Sequence, residues 1–149
     1  MDLLNLPAGE GPALPFSAAA ASGGLLFVSG QVPLVRGQLA GEDIRTQAGV
    51  AIDNLARVLA LAGLDLGDVV KATVWLTSQA DFAVFNEVYA ERFGAHRPAR
   101  STVVNALALP GALIEIEAIA ELRSPGRGAP SLDRDAGSGA QGGPDRGRS

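Results

Sequence analysis

Apolar residues recur along this chain with two periods, and the places where the period changes predict its elements. Ile44, Ala48, Ala51, Ile52, Leu55, Val58, Leu59 and Ala62 fall at spacings of three and four, the pattern of a helix with one buried stripe. Asp43 stands just before it, where a short carboxylate caps free N–H groups, and Gly63 stands where a left-handed residue stops a helix. A second stripe, Phe82, Phe85, Val88, Tyr89 and Phe93, runs between Asp81, the expected cap, and Gly94. An aromatic stripe at helical spacing reads as core rather than as a cofactor site.

Elsewhere the period drops to two. Val70 to Leu76 alternates and is rich in β-branched residues, which predicts a central or near-central strand with Trp75 as a packing residue. Ile114, Ile116, Ala118 and Ala120 face one way along a second run, and Leu113, Glu115, Glu117, Ile119 and Glu121 the other. Pro98 disfavours helix in the residue before it, so a strand opens at Ala99 and Arg100. If this strand and the one from Ile114 pair as an antiparallel hairpin around the turn at Pro110 and Gly111, Arg100 meets Glu115 at one end of the sheet.

Nearer the start, Phe16 to Ala21, a turn at Ser22-Gly23-Gly24 and Leu25 to Ser29 predict another hairpin. The alanine run there favours helix by propensity, but Pro15 and the double glycine limit it. Ser29-Gly30-Gln31 is expected to bend, because Gly30 follows the strand and Pro33 cannot donate to a ladder. That bend is either a ligand-facing backbone or a plain strand exit. Leu34-Val35 and Gln38-Leu39 form a further short hairpin with Gly37 in its turn.

Composition narrows the chemistry. The chain has 149 residues, no cysteine and one histidine, which excludes disulfides, thiolate metal sites and cysteine nucleophiles and leaves no histidine-rich metal site. Its formal charge is −4 and its single lysine is Lys71. Scattered arginines without a basic stripe argue against nucleic acid as a partner. The N-terminus lacks a basic segment before an apolar one, and no apolar run reaches the length of a membrane span, so a cytoplasmic protein is expected. Residues 1–123 read as one domain. Residues 124–149, rich in Gly, Pro, Ser and mixed charge, read as a disordered tail.

Four words, SGQVP at 29–33, DFAVFNEVYAERF at 81–93, RPARS at 97–101 and IEIEAIA at 114–120, resemble in order and spacing the RidA (YjgF/YER057c/UK114) family of small imine deaminases. The resemblance implies an α+β, chorismate-mutase-like sandwich: a mixed sheet with two helices on one face, with Ala18 to Ala21 as a strand. It also implies a homotrimer with sites in the clefts between subunits. Arg100 matches the arginine that holds the substrate carboxylate, and Glu115 the glutamate that positions the hydrolytic water. Thr102 matches a backbone N–H donor, the Gly30 carbonyl a contact to the substrate nitrogen, and Ser29 its neighbour in the same word. Asn86 matches a position near the site, although a surface or capping role fits its residue type equally. No cofactor or metal is implied.

Two positions depart from the family pattern. Leu14-Pro15-Phe16 stands where Gly-Pro-Tyr is usual, so an aromatic wall stays at Phe16 while its hydroxyl is lost; Thr102 replaces a frequent cysteine. By residue type alone, Arg100 and Glu115 also fit a structural ion pair at a sheet edge. Two classes of function follow. One is an enzyme converting reactive 2-imino acids or enamines to 2-oxo acids and ammonia. The other is a non-catalytic trimer that binds 2-oxo acids or related small carboxylates. Ribonuclease or chaperone activity finds little support in the acidic, lysine-poor composition. His96 and Arg97 receive no role.

Overall fold

A computed structural model describes residues 1–6 and 14–123; the tail expected at residues 124–149 lies outside the described residues. The chain runs β1 (Asp2–Leu4), β2 (Ala19–Ser22), β3 (Leu25–Gln31), β4 (Leu34–Val35), β5 (Gln38–Leu39), α1 (Ile44–Ala60), β6 (Val69–Leu76), α2 (Phe82–Phe93), β7 (Ala99–Val104) and β8 (Ile114–Glu121). Asp43 caps α1 as expected, its carboxylate accepting from the Thr46 N–H at 2.9 Å, a contact worth about 1 kcal/mol. Gly63 has φ +69° and ends the turn after the helix. Asp81 makes no capping bond; instead the Ser78 hydroxyl accepts from the Ala80 N–H and starts a short 3₁₀ turn that leads into α2. Arg36 and Gly37 both have positive φ in the β4–β5 hairpin, the geometry that matches the twist of paired strands.

Six strands form one mixed sheet in the order β1-β2-β3-β8-β6-β7, and β4-β5 stand apart. With α1 and α2 packed together and α1 lying across β3 and β8, this is the expected α+β layering. Ile52, Leu55, Leu59, Val74, Leu76, Ile114 and Ile116 are fully buried between the layers, each contributing about 1.5–3 kcal/mol by leaving water. The alternation read along β8 holds: Ile114, Ile116, Ala118 and Ala120 are buried. On the opposite side of the sheet Phe27 and Val103 stay 43% and 44% exposed.

The hairpin expected between β7 and β8 does not form. β6 lies between them, antiparallel to β8 and parallel to β7. The reason is the helix: β6, α2 and β7 make a strand–helix–strand crossover, which returns the chain parallel to where it left. Nor does β3 exit at Ser29. It continues to Gln31 through a register shift, with Val28 opposite Ala118 and Gln31 opposite Ile116, so Ser29 and Gly30 together face the single residue Glu117 in a bulge.

Candidate active site

Strand register decides which side chains share a face, and it divides the candidate residues into two groups. Glu115 lies opposite Trp75, and both project from the open side of the sheet. Beside them the β3 bulge brings the Gly30 backbone under the Glu115 carboxylate. A methyl group at Gly30 would fall 1.9 Å from Glu115 Oε1, so the carboxylate occupies the space that any side chain there would need. Burial pushes the Glu115 carboxyl above its ordinary range, and the neighbouring Glu117 charge adds to the rise. Ser29 flanks this point and donates from Oγ to the Ser17 carbonyl at 2.7 Å, which ties the bulge to the segment carrying Phe16. Phe16 itself is 56% exposed.

Arg100 lies opposite Ala72, a buried residue of the helix-covered face, and its side chain runs toward α2. Arg100 Nη2 donates to Asn86 Oδ1 at 2.7 Å. The guanidinium carbon sits 4.6 Å from the Tyr89 ring centroid and 5.0 Å from that of Phe85, so aromatic faces and one amide hold a permanent cation in a fixed orientation. Asn86 is therefore a partner of Arg100 rather than a capping residue. Tyr89 and Phe93 stack at 4.1 Å, which firms this platform. Thr102 lies two residues along β7, half-buried on the same face.

The sheet brings Gly30 to Glu115 and Asn86 to Arg100, but it does not bring Arg100 to Glu115. With β6 between them, β7 and β8 are roughly 10 Å apart, and the two side chains leave opposite faces. An ion pair between Arg100 and Glu115 of one chain is thereby ruled out.

Four contributions escaped the sequence reading. Phe85 and Tyr89 serve both the core and Arg100, and a helical stripe does not show which ring also meets a cation. Gln47, fully buried in α1, donates to the Gly41 and Gly111 carbonyls, both at 3.1 Å, and accepts from the Leu113 N–H at 2.7 Å. It thus fixes the turn that feeds β8 two residues before Glu115. Asn54, two turns further along α1, donates to the Val32 and Leu34 carbonyls at 2.9 and 3.0 Å and holds the segment leaving the Gly30 bulge. Polar residues inside an otherwise apolar stripe were the available signal. Trp75, read as packing, instead lines a cleft with Asn105, Ala106, Leu107, Ala108 and Glu115. Among the described residues no group of acidic, histidine or cysteine side chains is arranged to hold a metal ion, and no helix is long and apolar enough to cross a membrane.

Comparison with known proteins gives a consistent set of matches. The family described as Endoribonuclease L-PSP matches residues 9–122. A RutC family protein of Pyrococcus horikoshii is 43% identical over 111 residues, 73% of this chain and 88% of that protein. The chloroplastic Reactive Intermediate Deaminase A of Arabidopsis thaliana is 39% identical over 110 residues, 72% of this chain and 59% of that protein. The crystal structure of Escherichia coli TdcF with bound serine has a TM-score of 0.74 at 34% identity, covering 83% of this chain and 100% of that one.

Proposed function

Since the chain belongs to the Endoribonuclease L-PSP family, which includes the RidA and YjgF proteins, we propose that it is a deaminase of reactive 2-imino acids and enamines, releasing 2-oxo acids and ammonia. A relative named as a reactive intermediate deaminase supports this reading. The observation that carries it is the Glu115 carboxylate held above Gly30. It is partly desolvated, with its proton affinity raised, and so suited to orient a water and accept its proton.

The imine carbon is already electrophilic. Water attacks it as Glu115 takes the proton, giving a carbinolamine. Return of a proton to nitrogen lets the C–N bond break, leaving the 2-oxo acid and ammonia. Arg100, oriented by Asn86 and the Tyr89 and Phe85 rings, holds the substrate carboxylate in a two-pronged contact. Because one chain sends Arg100 and Glu115 to opposite faces, a complete site takes the arginine of one copy and the glutamate of another, in keeping with a homotrimer whose sites lie between subunits. Thr102 supplies a backbone N–H, and the Gly30 carbonyl meets the substrate nitrogen. The exposed Phe16 closes the site as an apolar wall.

Glu115→Gln tests the mechanism. The variant should still bind 2-oxobutanoate, while kcat on freshly generated 2-iminopropanoate falls about 10²-fold with KM changing far less. Unchanged turnover would overturn it. A second reading draws on the neighbour with bound serine: a binding module for small carboxylates. In that case neither protein would hydrolyse imine above the spontaneous rate.

A further inference from the structure

Trp75 is the sole tryptophan of the chain, and it is only half-buried, whereas Val69, Ala72, Val74 and Leu76 of the same strand are buried in the core. Its cross-strand partner is Glu115. Beyond the end of β7 the chain doubles across the same end of the sheet: the Asn105 N–H donates to the Leu76 carbonyl at 3.0 Å, and the Asn105 side-chain amide donates to the Ala106 carbonyl at 2.9 Å. These bonds hold the segment whose Leu107 and Ala108 line one cleft with Trp75. The result is a cleft of mixed lining, with Glu115 and Asn105 polar and Trp75 and Leu107 the large apolar side chains beside Ala106 and Ala108.

We propose that this cleft is the subsite for the substrate's side chain, and that it selects neutral apolar side chains of leucine or phenylalanine size. The inference rests on the deaminase reading, in which the reacting carbon lies beside Glu115. That carbon bears a carboxylate, a nitrogen and the side chain. The carboxylate goes to a guanidinium and the nitrogen to the Gly30 side, which leaves the side chain for the part of the cleft that Trp75 and Leu107 line. An indole face and a leucine favour an extended hydrocarbon or aromatic group over a methyl. Glu115 and Glu117, on the same sheet face, repel a second carboxylate, so acidic side chains are disfavoured.

The experiment compares imines generated in place from alanine, leucine, phenylalanine and glutamate by an amino acid oxidase. The parent should prefer the leucine and phenylalanine imines in kcat/KM by about 10-fold or more over the alanine imine, in line with the few methylenes an apolar pocket discriminates, and act least on the glutamate imine. Trp75→Ala should remove that preference while leaving the alanine imine within about 3-fold. Leu107→Lys, on a surface segment, should raise activity on the glutamate imine and lower it on the leucine imine, a test that stands if Trp75→Ala fails to fold. Equal parent rates on all four imines, or a uniform loss in both variants, would overturn the subsite while leaving the deaminase reading intact. Trp75 fluorescence gives a readout independent of turnover: 4-methyl-2-oxopentanoate should shift it at about 10-fold lower concentration than pyruvate, with 2-oxoglutarate weakest. If that order holds while no imine is hydrolysed, the subsite stands and the deaminase reading falls.

Discussion

At Gly30 the backbone lies outside the left-handed region, so glycine is needed there for room rather than for conformation. The atom in the way of a methyl group is the free end of the Glu115 side chain, which can swing aside. Gly30→Ala should therefore fold with a melting temperature within a few degrees of the parent, yet lose about 10-fold or more in kcat because the carboxylate is displaced; wild-type kcat in a folded Gly30→Ala would show that the close approach has no catalytic weight. Glu115 also carries a pH signature. Its folded carboxyl titrates above its ordinary value because burial disfavours the charge, so the fold holds the proton more tightly than the unfolded chain does. That stability is fully present below the unfolded value and is lost as pH rises through the raised folded value. On the proposed mechanism activity needs the ionised form and so rises across the same window. Glu115→Gln should flatten the stability curve there and be no less stable than the parent at neutral pH, as denaturant titrations over pH 4 to 8 would reveal; an unaltered slope would mean the group is not desolvated.

Local elements were the part of this fold that the sequence made legible. α1 has a cap at Asp43, an uninterrupted stripe and a stop at Gly63, and each signal lies within a turn of what it specifies. The burial along β8 was equally readable, since alternation is a property of one strand. Pairing is not. β7 and β8 look alike from their own residues, and the choice of β6 as their shared neighbour is set by the α2 crossover, a nonlocal event. The strand–helix–strand order was the available clue, and the stretch from Asn105 to Leu113 is too long for a tight hairpin turn. Of the candidate site, Ser29, Gly30, Asn86, Arg100 and Glu115 came through the four matching words and Phe16 and Thr102 through positions outside them, while the division into two faces came only with the sheet order. Gln47 illustrates what a periodic stripe conceals: a buried amide that bonds two loops at once. Gln47→Ala leaves the Leu113 N–H and the Gly41 and Gly111 carbonyls without it, at a cost of about 2–4 kcal/mol, to be read as a lower urea midpoint with unchanged slope. A loss under 0.5 kcal/mol would show that water replaces the amide.

For the molecule as a whole, the proposed function makes the open face carrying Phe27, Val103, Trp75 and Glu115 the place where a second copy completes the site. If Arg100 and Glu115 act across subunits, Arg100→Ala and Glu115→Gln proteins, each inactive alone, should regain activity when unfolded and refolded together. With random assembly roughly a quarter of the sites pair an intact arginine with an intact glutamate. A mixture that stays inactive while gel filtration shows mixed assemblies would mean that each chain supplies both groups of its own site. The single strand β6 lying between arginine and glutamate then has a consequence for dosage. On that proposal, at concentrations near the assembly constant, halving the amount of chain more than halves the number of complete sites, so a cell making less of this protein would lose the proposed imine clearance faster than it loses the protein itself.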